Sequence, residues 1–388
     1  MRQTYKLQIL LFCFLAISWV CQGNTIEVQN GVDRINDSFT KREYSKTINK
    51  QFPITTDGMV EISNRYGKVE IKTWDNSEVK VEVVISVNAT SEDRAEDVFD
   101  RITIDFNSGR DFVSATTEIA SKSGWSSWWG GGGSNDNYKI NYQVYMPKTN
   151  KLELFNKYGD SFVEPLNGPV NLEIKYGNIQ LGEVDNDVQL VLGYGKANIA
   201  SARLLGLDVK YSTVKVGIAT DVNVVSKYSK ITIDEANDIR SETKYDHYHL
   251  GLIKDYHNIG KYDDVRIKVA KSVRAVAKYS DYNVAHLKDW ADFDLEYGSA
   301  SVEKLDQAFT SVEIRGRYTN YRIEVEEGTN YKLDASSRYA KIRYPDDLEI
   351  VKEIRDGNEK EVEGFIGNKS EAKVIKARLD YGGIRVRQ

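Results

Sequence analysis

Apolar and polar side chains alternate in short runs along this chain, and each tyrosine of a regular series has one run before it and one after it. Three and five residues after a tyrosine the side chains are apolar, as in Val214 and Val216 after Tyr211. Two and four residues after it they are polar, as in Thr213 and Lys215. This period of two predicts a strand with one buried face. A second alternating run precedes each tyrosine, so each unit is predicted to hold two short strands.

The tyrosines return every 17 or 18 residues. The regular series is Tyr158, Tyr176, Tyr194, Tyr211, Tyr228, Tyr245, Tyr262, Tyr279 and Tyr297, with wider-spaced members at Tyr318 and Tyr339. A short fixed period is typical of repeat proteins, in which each unit covers its open face by stacking on the next. Helical repeats need about 33 to 47 residues. We therefore predict an all-β fold, a single-stranded β-solenoid (β-helix) of 17–18-residue coils.

The repeated tyrosines have two interpretations. In the first they form a structural ladder, in which each ring stacks on the rings of adjacent coils and its hydroxyl reaches water. In the second they form an aromatic strip that stacks against sugar rings. The Gly, Ser or Asp after most of these tyrosines is typical of a turn, which favours the ladder. The lysines before many of them, such as Lys227 and Lys244, are expected to form a cationic row, either solvated or partner-binding.

The N-terminus predicts export. Residues 1–23 have a basic start, an apolar run and a small-residue cleavage pattern, which together are typical of a secretory signal peptide. The apolar run is too short to span a membrane. Cys13 and Cys21 are the only cysteines, so cleavage after Gly23 would leave a chain without disulfides. The alternative is processing before Cys21 with a lipid attached there, although the bulky Trp19 and Val20 suit that signal poorly.

Charge limits the classes of partner. Residues 24–388 carry 51 Lys and Arg against 58 Asp and Glu, a net charge of about −7. This mild acidity, without a basic block, argues against binding nucleic acid. A glycan, a membrane surface or another envelope protein remain the possible partners.

The pattern divides the chain into three parts. After the signal peptide, residues 24–50 are polar and predict an irregular leader, and residues 51–388 are predicted to form the solenoid domain. A small α+β insertion interrupts it near the N-terminus, at about residues 88–137, with a short helix near residues 91–99 and two strands after it. The insertion is expected to cap an open end of the stack. A last tyrosine signature at Tyr381 predicts a second, terminal cap.

The insertion contains a loop rich in glycine and tryptophan at residues 121–137. Its candidate ligand-binding residues are Trp125, Trp128 and Trp129. Tryptophans on a flexible segment can enter a bilayer interface or stack on glycans. The alternative is that they fold back onto the flank of the solenoid.

Four motifs occur in order along the chain: NRYGKV at residues 64–69, YMP at 145–147, NKYG at 156–159 and YGGI at 381–384. This set resembles the putative-adhesin β-solenoid family of Bacteroidota envelope proteins, which is defined as a domain of unknown function. The resemblance covers roughly residues 50–388. Several middle coils depart from it, because Ser or Asp replaces Gly after the tyrosine. The resemblance implies an exported, non-catalytic protein and no catalytic residues to carry over.

Candidate chemistry is sparse. His247 and His249 lie two apart on a predicted strand and point outward together, so they could hold two corners of a zinc or copper site. The third ligand would come from His257 or Asp264. Otherwise they are exposed histidines on a polar face. No cofactor is predicted.

Outward carboxylates, namely Asp160, Asp264 and Asp281, could in principle form a pair about 5 Å apart that suits retaining glycoside chemistry. Adjacent coils supply this spacing by default, so the pattern does not single out a catalytic pair. No Ser/His/Asp arrangement, phosphate-binding glycine loop or calcium turn is evident. The sequence therefore favours a non-enzyme.

The sequence leads to three functional hypotheses. The first is an exported cell-envelope β-solenoid with a non-catalytic binding, adhesive or structural role, located in the periplasm, at the outer membrane surface or outside the cell. The second is a glycan-active β-helix enzyme or carbohydrate-binding module. The third is a periplasmic scaffold or sensing partner of another envelope protein.

Overall fold

The computed structural model describes residues 40–120, 137–369 and 373–388, and the backbone of residues 25–27. The N-terminal elements are strands β1 (Thr25–Glu27), β2 (Arg42–Pro53), β3 (Met59–Arg65), β4 (Val69–Trp74) and β5 (Glu78–Ala89), helix α1 (Glu92–Phe99), and strands β6 (Ile102–Ser108), β7 (Phe112–Ile119) and β8 (Asn137–Pro147). The strands of the stack are β9 (Lys151–Lys157), β10 (Ser161–Val163), β11 (Val170–Lys175), β12 (Asn178–Val184), β13 (Val188–Gly193), β14 (Lys196–Lys210), β15 (Thr213–Lys227), β16 (Lys230–Lys244), β17 (His247–Lys261), β18 (Asp264–Lys278), β19 (Asp281–Glu296), β20 (Ser299–Leu305), β21 (Ser311–Val325), β22 (Tyr331–Arg343), β23 (Glu349–Asp356), β24 (Glu359–Ile366) and β25 (Val374–Arg387).

Each coil contributes to two parallel sheets. Segments before a tyrosine form the leading sheet, in which β3, β9, β11 and β13 are consecutive neighbours. Segments after a tyrosine form the trailing sheet, in which β4, β10 and β12 are neighbours. From β14 to β19, one strand of about 15 residues runs through the trailing sheet, bends, and enters the leading sheet. Strands β21, β22 and β25 instead run from the leading sheet through the tyrosine corner into the trailing sheet. The predicted β-solenoid of 17–18-residue coils is confirmed.

The core lies between the two sheets, where the alternation places the apolar side chains. In one coil, Val214 and Val216 of the trailing sheet and Val222 and Val224 of the leading sheet are at most 3% exposed. Parallel neighbours keep the same register, for example Val214↔Ile231, so every inward residue stacks on an inward residue of the next coil. Full burial of one such side chain contributes about 1.5 to 3 kcal/mol. The stack is therefore stabilised by repetition of one small core.

The N-terminal elements cover one end of the stack. Strand β7 pairs with β3 in the leading sheet, and β8 pairs with β4 in the trailing sheet. Ser91 caps helix α1 by accepting a hydrogen bond from the Arg94 amide at 3.4 Å, and the helix buries Ala95, Val98 and Phe99. The short helix and the two strands expected after it are thus present. Because an open solenoid end exposes strand edges, this arrangement serves as a cap.

Part of the predicted irregular leader is a regular strand. Residues 42–50 belong to β2, which pairs antiparallel with β5 from Arg42↔Ala89 to Pro53↔Glu78. The alternating pattern does not reveal this strand, because Tyr44 is the one buried residue among its twelve. A strand with so little buried apolar surface lacks the alternation on which the prediction depended.

The C-terminal prediction was wrong. Strand β25, which carries Tyr381, does not end the stack but lies between β21 and β22, parallel to both. The end is instead formed by β22 with the antiparallel strands β24 and β23. The physical reason is that an inserted strand is held by two ladders of hydrogen bonds, whereas a terminal strand is held by one.

Among the described residues, no helix combines the length and apolar character that crossing a membrane requires.

Candidate functional site

The most regular surface of the molecule is the edge formed by the repeated tyrosines. Thirteen tyrosines occupy the corner between the two sheets, all with φ between 53° and 65°. They are Tyr66, Tyr158, Tyr176, Tyr194, Tyr211, Tyr228, Tyr245, Tyr262, Tyr279, Tyr297, Tyr318, Tyr339 and Tyr381. In the described part of the chain no other non-glycine residue has a positive φ. Such a conformation costs about 1 to 2 kcal/mol in an L-residue, so the stack must compensate for it.

The rings form one continuous ladder. Consecutive rings are nearly parallel, with centroids 4.6 to 5.1 Å apart and interplanar angles of at most 16°. An aromatic pair contributes about 0.5 to 1.5 kcal/mol beyond its buried area. Because each ring face is covered by the next ring, only ring edges and hydroxyls along the ladder can meet a ligand. The structure thus places the predicted tyrosines in a ladder and leaves little ring face for a sugar.

A row of lysines follows one flank of the ladder, at the position just before each tyrosine. Lys210, Lys227, Lys244, Lys261 and Lys278 are directly opposite one another in successive strands. The two outer members are neutralised, since Lys210 lies 3.2 Å from Asp208 and Lys278 lies 2.9 Å from Glu296. Within the described residues, the three central lysines have no ion-pair partner.

Two of these central lysines lie beside the rings. The ammonium group of Lys244 is 5.4 Å from the centroid of the Tyr245 ring, and that of Lys261 is 4.9 Å from the Tyr262 centroid. The lysine stems therefore follow the ladder, and the charged groups remain in water.

A shallow groove of about 830 Å³ follows the other flank, beside Tyr194, Tyr211, Tyr228 and Tyr245. The groove is also lined by residues that lie two positions after a tyrosine, namely Lys196, Lys230 and His247. We call the five tyrosines from Tyr194 to Tyr262, with Lys196, Lys227, Lys230, Lys244 and Lys261, the tyrosine–lysine edge. Positive charge on both sides of exposed phenols makes this edge suited to a ligand with repeated negative charges.

The interior side of the same corner is polar in the middle coils. The residue after the tyrosine is Ser212, Ser229, Asp246, Asp263 and Ser280 in successive coils, and each is at most 7% exposed. Each side chain accepts a hydrogen bond from the amide of the same position one coil earlier. The distances run from 2.7 Å for the Ser229 amide and Asp246 to 3.2 Å for the Ser212 amide and Ser229.

The two carboxylates of this row belong to a buried network. Asp263 accepts a hydrogen bond from Thr243 at 2.7 Å, and Asp246 accepts one from Ser226 at 2.8 Å. Burial raises the pKa of Asp263 to about 6 and also raises the pKa of Asp246, although their hydrogen bonds act in the opposite direction. Gly260 makes room, because a Cβ there would lie 2.5 Å from Asp263 Oδ2. The sequence shows that Asp246 and Asp263 follow a tyrosine, but it carries no signal that their side chains point into the core.

The two candidate metal ligands lie where the sequence predicts, on the outer face of β17. His247 faces Lys230 and Asp264 on the adjacent strands, and His249 faces Thr232 and Arg266. Burial, Lys230 and Arg266 together lower the pKa of His249. Arg266 also forms an ion pair with Asp264 at 2.8 Å.

The other proposed third ligand, His257, belongs to the leading sheet, on the opposite side of the core. Among the described residues, no group of three metal-binding side chains occurs. The histidine pair thus lacks a third ligand in this part of the chain.

The outward carboxylates are engaged in local contacts. Asp160 accepts hydrogen bonds from the amide and the side chain of Asn178, and Asp281 accepts one from Ser299 at 2.6 Å. Asp264 and Asp281 are opposite one another in register, but Asp264 is bound by Arg266. The contacts of Asp160 and Asp281 join adjacent coils, whereas that of Asp264 lies within β18. The predicted binding loop with Trp125, Trp128 and Trp129 lies outside the described residues and stays a prediction.

Several solved structures are similar to this chain, among them three from Parabacteroides. A putative adhesin from Parabacteroides merdae shares 9% identity over 88% of this chain and 96% of that one, with a TM-score of 0.29. A putative adhesin from Parabacteroides distasonis shares 12% identity over 88% and 96%, with a TM-score of 0.25. A putative lipid binding protein from Parabacteroides distasonis shares 9% identity over 88% and 97%, with a TM-score of 0.24. No family model and no curated protein matches the chain.

Two of these three structures carry the name of the family that the sequence motifs resemble.

Proposed function

We propose that this chain is an exported cell-envelope protein with a non-catalytic binding role, and that the tyrosine–lysine edge is its binding surface. The observation that carries the proposal is the aligned row of Lys227, Lys244 and Lys261, whose charges no carboxylate neutralises among the described residues. Export rests on the signal-like pattern of residues 1–23.

The spacing of the row defines the class of ligand. Neighbouring strands are about 4.8 Å apart, and like charges at directly opposite positions destabilise a sheet. A linear polymer with a carboxylate or sulfate on successive units would relieve this repulsion along several coils at once. Its hydroxyls would meet the exposed tyrosine hydroxyls, which are both donors and acceptors. An acidic polysaccharide has this combination of repeated charge and hydroxyls.

The shape of the edge supports binding rather than catalysis. Small-molecule and catalytic sites are typically concave pockets that enclose most of the ligand. The tyrosine–lysine edge is instead a shallow groove beside a ladder whose twelve ring contacts add up to about 59 Å. A long, repetitive surface of this kind binds by many weak contacts, so affinity should increase with the length of the polymer.

The test is calorimetric titration of the full chain with polygalacturonate and with neutral dextran. We expect binding to polygalacturonate that weakens as salt rises, because exposed charges are screened. Changing Lys227, Lys244 and Lys261 together to Gln should lower the affinity by about tenfold or more, since each lost charge contact is worth several tenths of a kcal/mol and the contacts act together.

The matched control changes Lys254, Lys271 and Lys288 to Gln. These lysines are also exposed, but they lie near the bend at the opposite edge of successive coils. The control removes the same net charge and should keep its affinity. Equal loss in both variants, or equal binding of dextran, would contradict the proposal.

A further inference from the structure

The insertion of β25 between β21 and β22 creates a second cationic surface, on the outer face of the trailing sheet. Arg322 of β21 is opposite Arg385 of β25, which is opposite Arg343 of β22. Their chain neighbours Ile323, Val386 and Ile342 are buried, so the three arginines all point outward. With strands about 4.8 Å apart, three guanidinium groups start within about 10 Å of one another.

The chain leaves these arginines unneutralised. On the leading sheet of the same strands, Arg315 lies 2.6 Å from Asp292, and Arg378 lies 3.0 Å from Asp334. No such ion pair forms at Arg322, Arg343 or Arg385 within the described part of the chain. Like charges directly opposite one another destabilise a sheet. The arginine row therefore bears a repulsion that the paired arginines of the leading sheet do not bear. A bound anion would neutralise the row and relieve this repulsion.

A depression lies beside the arginine row. Its floor is Gly383, which has no side chain between Asn320 and Lys341 on the adjacent strands. The groove holds about 420 Å³ and is also lined by Ser301. The Ser301 hydroxyl accepts a hydrogen bond from Asn283 at 3.0 Å, so its own hydrogen can be donated to a ligand. The depression therefore offers an amide, a hydroxyl and an ammonium group next to the guanidinium groups.

The donors define the chemistry of the ligand. An arginine fork matches the oxygens of a phosphate or carboxylate in pairs, and it retains its charge at every physiological pH. One planar carboxylate offers two oxygens, which a single fork satisfies. A phosphomonoester offers three oxygens in a tetrahedral arrangement and about two negative charges near neutral pH, so it can engage several forks together. The volume of the groove exceeds that of a phosphoryl group and leaves room for the group that carries it.

We propose that Arg322, Arg343 and Arg385 form a binding site for a phosphomonoester, with Lys341 and the Gly383 depression beside it. The site is independent of the tyrosine–lysine edge and lies in the coils that follow it. The same donors would bind a phosphoryl group on a soluble sugar and one on a lipid headgroup.

The experiment titrates the full chain with glucose 6-phosphate, and with phosphatidylcholine vesicles with and without phosphatidic acid. Glucose and plain phosphatidylcholine vesicles serve as unphosphorylated references. Binding of either phosphorylated probe supports the site and identifies its source, and binding of neither overturns it. Arg385→Gln, which removes the central arginine, should lower the affinity by about tenfold or more because it removes a charge-assisted, bidentate contact.

A second measurement separates binding from folding. Without ligand, Arg385→Gln should melt at the same temperature as the unchanged chain or higher, because it relieves repulsion between like charges. Arg315→Gln is the control, since it removes the same charge from a paired arginine in the leading-sheet part of β21. Loss of affinity with an undiminished melting temperature supports the proposal. Equal loss in Arg315→Gln, or loss that accompanies a lower melting temperature, overturns it.

Discussion

The same tyrosine corner is built in two ways in different parts of the solenoid. In the first coils glycine follows the tyrosine, at Gly67, Gly159 and Gly177, and we call these the glycine corners. In the middle coils the polar row from Ser212 to Ser280 takes this position, and we call these the polar corners. The tyrosine has the same left-handed conformation in both. The difference therefore lies in how the next peptide is hydrogen bonded.

In the glycine corners, outward side chains complete the hydrogen bonding between coils. Asp160 accepts a hydrogen bond from the Asn178 amide at 2.8 Å, and Asn178 accepts one from the Lys196 amide at 3.1 Å. The carbonyl oxygen of Gly159 then lies only 2.0 Å from the place where a Cβ on Gly177 would be. Glycine is required there because the backbones approach so closely.

In the polar corners the backbone carbonyl takes over that role. The Lys230 amide donates to the Ser212 carbonyl at 2.9 Å, and the His247 amide donates to the Ser229 carbonyl at 2.9 Å. The corner side chain can then point inward and bind the preceding amide. The residue at a glycine corner is therefore restricted by the space between backbones. The residue at a polar corner is restricted by the need to hydrogen bond buried polar groups. These limits predict different responses to mutation and to pH.

The largest effect is expected from placing a polar-corner residue in a glycine corner. Gly177→Ser would bring a Cβ against the Gly159 carbonyl and should lower the free energy of unfolding by more than about 3 kcal/mol. Urea unfolding measures the change. Gly193→Ser is the control, because a Cβ there meets only the Lys175 side chain at 3.8 Å, and its effect should be within about 0.5 kcal/mol. A Gly177→Ser protein as stable as the control would show that the two corners are interchangeable.

A smaller effect is expected from pH, and only in the polar corners. Because the pKa of Asp263 is raised to about 6 from its ordinary value near 3.8, the folded chain binds this proton more tightly than the unfolded chain does. The associated stability is present in full below pH 4 and is lost as pH rises through 6. The shift of about two pH units, at about 1.4 kcal/mol per unit, makes this loss about 3 kcal/mol.

Asp263→Asn tests whether this carboxyl causes the loss of stability as pH rises. The amide keeps an oxygen that can accept from the Asp246 amide, but it does not titrate, so the loss of stability between pH 4 and 7 should be smaller than in the unchanged chain. Melting temperatures across this range give the comparison. Asp264→Asn, at the neighbouring outward position, should retain the original pH dependence. If the melting temperature of the Asp263→Asn protein depended on pH as in the unchanged chain, a group other than Asp263 would be the one that titrates.

The smallest effect is expected from removing one hydroxyl of the polar row. Ser229→Ala deletes the oxygen that accepts from the Ser212 amide at 3.2 Å and that donates to the Lys227 carbonyl at 2.8 Å. The amide is buried and would lose its partner, so the free energy of unfolding should fall by about 1 kcal/mol. Denaturant unfolding measures it, with Thr213→Ala on the outer face of an adjacent corner for comparison. If both substitutions cost the same, the polar row would contribute nothing beyond its packing.

The sequence predicted the parts of the fold that depend on local alternation. The inward positions of Tyr248 and Leu250 and the outward positions of His247 and His249 follow from the period of two, and the structure has them so. The tyrosine ladder likewise follows from the repeat length. The left-handed tyrosine conformation did not, because that backbone region is ordinarily occupied by glycine or asparagine. From the sequence, the turn was assigned to the Gly, Ser or Asp after the tyrosine, whereas the left-handed residue is the tyrosine itself.

The parts that depend on distant pairing could not be predicted. Arg322, Arg343 and Arg385 are far apart in sequence and become neighbours only because β25 enters the stack. The buried contacts of Asp263 with Thr243 and with the Asp246 amide likewise come from preceding coils. An alternating pattern states which face a side chain takes, but it does not state which strand lies beside it.

The position of β25 also has a consequence for how the molecule is made. Ser311 of β21 pairs with Val374 near the end of the chain, and Lys332 of β22 pairs with that same residue. While a ribosome is still producing residues 374–388, the two earlier strands exist without the one that joins them. The first coils can stack in the order of their synthesis, but β21 and β22 are joined only after β25 has been made, and closing that loop costs chain entropy. This part of the stack is therefore completed out of sequence order.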